Sequence, residues 1–533
     1  MTPRAPRRSS GGGQTRSRPA AVVVGGGVAG LASAALLARD GFRVDLVERN
    51  ASFGGRAGSW SADGFRFDTG PSWYLMPEVF DRFFRQLGTS ADEALDLTRL
   101  DPAYRVFFEG DEQPVEIVAD EEANVATFDR IEPGAGERLR TYLASARDTY
   151  DVALRRFLFT SFTSVRDLAT GDVVGRTHRL VPLLLRSLES HVARSFTDHR
   201  LRQILGYPAV FLGSSPERTP SMYHLMSALD LTGGVQYPQG GFTRLVEALT
   251  RLAEDAGVTL RPSHEVTAIT TTPGPGRRRA RATGVRFRGP DGVEGHLAAD
   301  VVVGATDLHH VETALLPPAL RQRSERWWRR SDPGPGGVLV LLGVRGRVPE
   351  LAHHSLFFTR DWRTNFRDIR DGRVPRPASA YVCTPSRTDP TVAPDGEENL
   401  FILVPVPADV TVGHGGEDGR GDLAVEAVAD AAIDQVAEWA GVRDLRDRIR
   451  VRRTIGPADF ATDLNAWRGS MLGPAHTLRQ SAFFRAGNAS RKVTGLYYAG
   501  AGTIPGIGLP MCLISAEILR DRVRAERTRW RVG

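Results

Sequence analysis

The sequence predicts an α/β fold in which a parallel sheet is assembled from discontinuous stretches of chain and joined to a second unit of mixed sheet and helix. Three features predict it. Residues 21–30, AVVVGGGVAG, place an apolar β run directly before a glycine cluster and a helix-forming stretch. Residues 495–523 repeat the order strand, glycine turn, helix near the other end of the chain. Between them, GGVLVLLGV (336–344) and ENLFILVPVPADV (398–410) are apolar β runs that suit a separate sheet. A chain of 533 residues exceeds what one compact core supports, so two or three units with room for a buried ligand are expected.

The first element decides most of the rest. Residues 20–38 are uncharged for long enough to cross a bilayer, but Gly25, Gly26, Gly27 and Gly30 sit near the start of the stretch. A strand over Ala21–Val24, a glycine turn and a helix over Val28–Arg39 ended by Gly41 fit better, followed by a second strand in FRVDLVER. Gly25, Gly27 and Gly30 form the pattern G-x-G-x-x-G, and Glu48 ends the second strand. In this setting Gly25 permits the turn, Gly27 lets the backbone approach a pyrophosphate at the helix N-terminus, and Gly30 allows close packing of helix on strand. Glu48 would accept hydrogen bonds from ribose hydroxyls. The unit is therefore Rossmann-like and binds a dinucleotide.

Composition excludes other classes. Apolar residues make up 41% and charged residues 25%, as in globular proteins. The charge of +6 does not indicate nucleic acid: Lys492 is the only lysine, and outside the N-terminal tail the arginines are interspersed with acids. Two cysteines, Cys383 and Cys512, are too few and too far apart for a disulfide framework or a structural zinc site, which fits a reducing cytoplasm. Residues 1–19 read as a disordered basic tail without the apolar core of a signal peptide.

FAD suits the fingerprint better than NAD because ASFGGRAGSW follows Glu48, where Gly54, Gly55 and Arg56 offer a second backbone approach and a fixed cation, and DTGPSW (68–73) comes next. Here the chain resembles the flavoprotein amine oxidase superfamily. Gly500–Pro510, of the form G-x-G-T-x-P-G-x-G-x-P, resembles the C-terminal signature of bacterial-type phytoene desaturases. YPQGGFTRLVEAL from Tyr237, DLHHVETALLP from Asp307 and AWRGSMLGPAHTLRQS from Ala466 extend the likeness over roughly Val22–Val523. One departure is Gly304-Ala305, where relatives of the wider superfamily carry asparagine-alanine, so no flavin-side hydrogen bond is assumed there.

The resemblance implies an FAD-binding domain built from 20–100, 236–315 and 488–533, and a substrate and membrane-associating domain from 101–235 and 316–487. It adds Arg49, Gly70, Pro71, Ser72, Val266, Gly502, Gly508, Leu509, Pro510 and Met511 to Gly25, Gly27, Gly30, Glu48, Gly55 and Arg56 as cofactor-binding residues. Val266 would meet the adenine through its backbone. Pro510 is placed to open a helix running to about Val523, whose positive end would face the flavin. Within the first domain, GVTLRPSHEVTAITT reads as strand, turn, strand, followed by a loop over 273–281, a strand over Thr283–Arg288 and a buried strand in ADVVVGAT. Residues 135–232 read as mainly helical.

His309-His310 and His353-His354 suggest a metal, but adjacent side chains diverge on a helix or a strand, so none is expected. Asp307 and His476 are polar candidates that fit structural roles better than acid-base ones, and no catalytic base is assigned. The implied reaction is desaturation of phytoene or a related polyene: hydride leaves to the flavin, the neighbouring carbon loses a proton, and the conjugated system lengthens. Such a substrate has no polar handle and resides in the bilayer, which implies an apolar tunnel and peripheral docking at the cytoplasmic membrane surface. RRFLFTSFTSVRDL and RTHRLVPLLLRSLESHV, with Phe157–Phe159, Phe162 and Leu183–Leu185 among flanking arginines, are the stretches suited to it. Quinone or dioxygen is the implied electron acceptor. A carotenoid isomerase or a later-intermediate desaturase would share these motifs; an amine oxidase would need an aromatic cage that GIGLPM does not supply, and a prenyl-binding carrier of the GDP dissociation inhibitor type shares the architecture but has no need of the intact glycines, Glu48 and Arg56.

Overall fold

The computed structural model describes residues 18–161, 182–274, 276 and 279–532, so Phe162 and all of the basic tail except Arg18 and Pro19 lie outside the described residues. A five-stranded parallel sheet forms the first layer, in the order Leu496–Tyr498, Val301–Gly304, Ala20–Val24, Arg43–Val47, Thr259–Arg261. Its central strands are buried on both faces, which is why they are near-continuous runs of valine and leucine. Helix Val28–Arg39 covers one face, flanked by helices Phe242–Asp255 and Leu509–Val532. Leu31, Leu36 and Leu37 on the first helix are buried against Leu245, Leu249, Leu513 and Leu519.

A second sheet, Glu265–Thr272, Ala280–Arg288 and Glu294–Ala298 with the short strand Val493–Thr494, lies over the opposite side. The strand expected from Thr283 begins at Ala280, inside the stretch read as loop, because Ala282 and Val285 both enter a buried cluster with Val266 and Ile269. The third sheet has seven strands, with Gly336–Val344 and Glu398–Val406 paired antiparallel at its centre. Strand Tyr104–Phe108 joins its far side parallel to His354–Phe358. Helices over 121–152 and 188–206 pack on that end through Tyr104, Phe128, Tyr142 and Leu205.

Asp230 is a charged exception in this helical core. It is 3% exposed, and its Oδ2 accepts hydrogen bonds from Tyr104 (3.0 Å) and Tyr207 (2.5 Å). Burial pushes its carboxyl up to about 6, against these two hydroxyl donors. A carboxyl raised in the fold contributes stability that is complete below the unfolded-state value and is lost as pH rises through the folded one. The shift corresponds to about 3 kcal/mol lost between about pH 4 and pH 7. In Asp230→Asn that component should vanish, so the melting temperature of wild type relative to the variant is expected to fall across this window.

Among the described residues no helix is long and apolar enough to cross a membrane. Residues 20–38 form a strand, a turn and a helix.

Candidate cofactor cleft

Strand Ala20–Val24 delivers the chain to the cleft. Gly25 adopts φ +103° and donates to Val47 O at 2.8 Å, which folds the turn back onto the second strand. Helix Val28–Arg39 starts at Gly27 with no side-chain cap, so first-turn N–H groups at a positive helix end are left without capping partners beside the cleft. A Cβ on Gly30 would lie 1.9 Å from Gly25 O, so the helix can approach its own strand only with glycine there. Glu48 is 8% exposed. Its Oε2 accepts from Gly26 N (2.6 Å) and its Oε1 from Asn50 N (2.8 Å), so the carboxylate fixes the glycine turn while bordering the cleft.

The second glycine element is strapped to the first by Gly54 N donating to Gly26 O at 2.9 Å. Arg56 is held rigidly: Nε donates to Met471 O (2.8 Å), Nη2 donates to Ser470 O (3.3 Å), and Asp307 stands 3.8 Å away. Asp307 is also the N-cap of helix Leu308–Thr313, accepting from His309 N at 2.9 Å. Arg49 bonds Asn465 Oδ1 and Thr462 O, bringing the C-terminal end of helix Pro457–Leu464 to the cleft edge.

From the other end of the chain, strand Leu496–Tyr498 leads into a turn in which Gly500 N donates to Ser515 Oγ. Helix Leu509–Val532 follows, beginning one residue before Pro510 and running past Val523. His476 supports this turn from below. Its Nε2 accepts from Ile507 N at 3.1 Å, which leaves the proton on Nδ1 to donate to Tyr223 Oη at 2.7 Å. Burial, and then the positive charge of Arg485, hold the imidazole well below its ordinary value, so His476 is a neutral strut, the structural role its sequence context suggested.

These elements line one cleft. Of the sequence-predicted residues, Gly25, Gly27, Glu48, Arg49, Gly55, Arg56, Val266, Gly502 and Leu509 line it. Val266 stands at a β-bulge, where strand register slips before Ala268. Seven others do not line it. Gly30 acts in packing. Gly70 does so too, since its Cβ would lie 1.8 Å from Arg56 O. Ser72 belongs to the next seam, where its Oγ bonds Tyr381 Oη at 2.6 Å, and Pro71 precedes it in the chain. Gly508 precedes the helix, and Pro510 and Met511 follow Leu509 on its first turn, with Met511 packed on the apolar cluster of Met76, Val79, Ile504, Ile514 and Ile518.

Asn50, Asp463, Asn465, Gly473, Pro474 and Cys512 also line the cleft without having been singled out as cofactor residues. Burial pushes the Cys512 thiol up to about 11, so it is an apolar wall and not a nucleophile. At Ala305, the superfamily departure, the backbone N donates to Val24 O, and the methyl side chain offers no hydrogen bond.

The histidine pairs behave differently from each other. His309 stacks on Trp467 (5.6 Å) and meets Trp328 edge-on, while His310 borders the cleft. His353 and His354 do not diverge as expected: their rings lie 4.6 Å apart and, with Cys383, they bring three potential ligand atoms within 4.8 Å of one another. His353 precedes strand His354–Phe358, where the alternation of strand side chains does not yet apply. Their Nδ1 atoms bond Thr388 Oγ1 (2.9 Å) and Tyr381 Oη (2.8 Å).

The cleft fits FAD on its own features. Uncapped helix N–H groups, glycines without side chains at Gly27 and Gly55, a fixed cation at Arg56 and a carboxylate at Glu48 match the phosphates and ribose of a dinucleotide. The sequence profile of flavin containing amine oxidoreductases matches residues 28–518. The chain is 41% identical over 497 residues to a carotenoid 3,4-desaturase of Haloarcula japonica, covering 93% of this chain and 96% of that protein. It is 36% identical over 505 residues to a zeta-carotene-forming phytoene desaturase of Myxococcus xanthus (94% and 93% covered), and 30% identical to a phytoene desaturase of Fusarium fujikuroi (94% and 88%). Solved structures share the fold: an oxidoreductase from Methanosarcina mazei (TM-score 0.62, 17% identity, 94% of this chain and 100% of that one) and a putrescine oxidase variant (0.59, 14%, 96% and 98%). A Rab GDI from Plasmodium falciparum has the same fold at 10% identity (0.52, 95% and 98%). The chain thus belongs to the flavin containing amine oxidoreductases and, among them, to the FAD-dependent carotenoid desaturases.

Proposed function

We propose that this protein desaturates an acyclic carotenoid, with phytoene as the first substrate to test, and that FAD lies in the cleft between the two glycine turns. The observation carrying this reading is that desaturase relatives match from end to end while the cleft keeps both glycine turns, Glu48 and Arg56. When bound, FAD supplies the two-electron acceptor for hydride. The first helix N-terminus and Arg56 would hold its phosphates, and Glu48 its ribose. Leu509 and Cys512 line the cleft with apolar surface at the C-terminal turn, which suits a substrate recognised by desolvation. The proton lost from the neighbouring carbon needs no strong base, because a carbon next to a developing allylic cation is acidic.

The higher identity to a 3,4-desaturase favours a second reading, in which the substrate is already conjugated. Holoprotein mixed with liposomes carrying phytoene or a conjugated acyclic carotene separates the two. New long-wavelength polyene bands from phytoene support the first, bands from the conjugated carotene alone support the second, and none from either refutes both. Desaturase kinship does not favour the carrier and isomerase alternatives.

Docking to the membrane surface, with quinone or dioxygen reoxidising the flavin, belongs to the same proposal. Leu185 (72% exposed) and Phe484 (68%) stand out from the surface, with Leu184, Leu478 and Phe483 and with the exposed Arg186 and Arg479. Residues 221–223 tie the two groups together through Leu183 O, Arg186 O and His476. By contrast, Leu158 and Phe159 pack on the Ile504–Ile518 cluster, so that part of the expected membrane face is turned inward. The double variant Leu185→Ser, Phe484→Ser should float with anionic liposomes about tenfold less than wild type, at unchanged melting temperature.

A further inference from the structure

Behind the C-terminal glycine turn lies a guanidinium with no anion. Arg485 is 6% exposed, and among the described residues no carboxylate pairs with it. Its partners are four carbonyls: Nε donates to Thr503 O (3.0 Å), Nη1 to Gln480 O (3.0 Å), and Nη2 to Pro474 O (3.1 Å) and Ala501 O (2.5 Å). Its polar neighbours, Tyr223 and His476, are neutral, and burial pulls the guanidinium down to about 10, where it stays charged at physiological pH. A buried charge without a counter-ion is costly. Carbonyl dipoles offset only part of that cost.

Two of those carbonyls identify what faces the charge. Pro474 and Ala501 line the cofactor cleft together with Gly473 and Gly502. The cation therefore stands one backbone layer behind the cleft wall, on the same turn from which helix Leu509–Val532 points its positive end. Arg485 is buried, so its charge acts on the cleft more strongly than one at the surface. Transfer of a hydride to oxidised FAD adds two electrons and one proton, and hence one net negative charge. A fixed positive potential favours that form over the oxidised one.

Resting on the assignment of FAD to this cleft, we infer that Arg485 is a positioning residue that tunes the flavin electrostatically: it supplies the positive potential that makes the bound cofactor a strong hydride acceptor. A hydrocarbon has no lone pair to assist departure of hydride, so more of the driving force must come from the acceptor. The same side chain holds the turn through its four bonds, and the two roles separate by substitution. Arg485→Lys keeps the charge but cannot reach four carbonyls. Arg485→Gln removes the charge.

The test is the midpoint potential of FAD in wild type, Arg485→Lys and Arg485→Gln, measured beside free FAD, with melting temperatures of the same samples. Wild type should lie above free FAD. Arg485→Gln should bind reduced relative to oxidised FAD about tenfold less well, which for a two-electron couple is about 30 mV. Arg485→Lys should melt lower than wild type yet keep most of the potential. If Arg485→Gln fails to fold, the other two decide. A wild-type potential at or below that of free FAD, or one in Arg485→Lys that falls in step with its stability, overturns the inference and leaves the FAD site standing. Wild type that binds no FAD overturns both.

Discussion

Gly30→Ala should abolish accumulation of folded, flavin-bearing protein. The added Cβ would sit 1.9 Å from Gly25 O and 3.0 Å from Gly25 C, both backbone atoms of a turn that Val47 O and Glu48 hold from the other side. Neither partner is a flexible side-chain end that can swing away. Relief requires the first helix to move off its strand, although its Leu31 and Ala34 are fully buried against the neighbouring helices. Overpacking of this kind at a buried helix-strand contact costs about 4 kcal/mol, at the upper end of single substitutions. The expected result is insoluble protein, or soluble protein melting about 4 °C lower, assayed without added cofactor.

Gly27→Val is expected to do the opposite: to spare the apoprotein and abolish flavin binding. Gly27 has φ −71° and ψ 176°, which any residue adopts, and its Cβ would meet nothing closer than Gly54 O at 3.7 Å. The side chain would project into the space between the two glycine elements, where a pyrophosphate must come within hydrogen-bonding distance of the helix N–H groups. Apoprotein melting within about 2 °C of wild type, with FAD affinity at least about a hundredfold weaker by fluorescence titration, is the expected pair of results. Measured side by side, the two glycines separate a steric demand of the fold from one imposed by the ligand. If Gly27→Val bound FAD normally, the cofactor would have to lie elsewhere.

The contrast also explains what the sequence made legible. Turn geometry is local, so the spacing of Gly25, Gly27 and Gly30 with Glu48 after a strand sufficed to place one wall of the cleft. The buried parallel strands were legible for the same reason, as runs of valine with no alternation. Gly70 has the same composition signal as Gly27, but its crowded neighbour, Arg56 O, is visible only in three dimensions. The wall formed by Asp463, Asn465, Gly473 and Pro474 lies more than 400 residues from the fingerprint and carries no periodicity, so only a family likeness pointed near it. The convergence of His353, His354 and Cys383 depends on where a strand begins and on which strand it pairs with, since His354 lies opposite Cys383 in the ladder. Boundaries of that kind are set by pairing partners, not by residue order.

The central claim is that FAD in this cleft takes electrons from an apolar polyene. It is tested most directly in a single anaerobic turnover, with excess holoprotein mixed with phytoene or a conjugated carotene in liposomes and flavin and polyene absorbance recorded together. Flavin absorbance should bleach in step with the appearance of one new conjugated double bond per flavin. Lengthening of the polyene with the flavin left oxidised, or bleaching by an amine while the carotenoids stay unchanged, would contradict it.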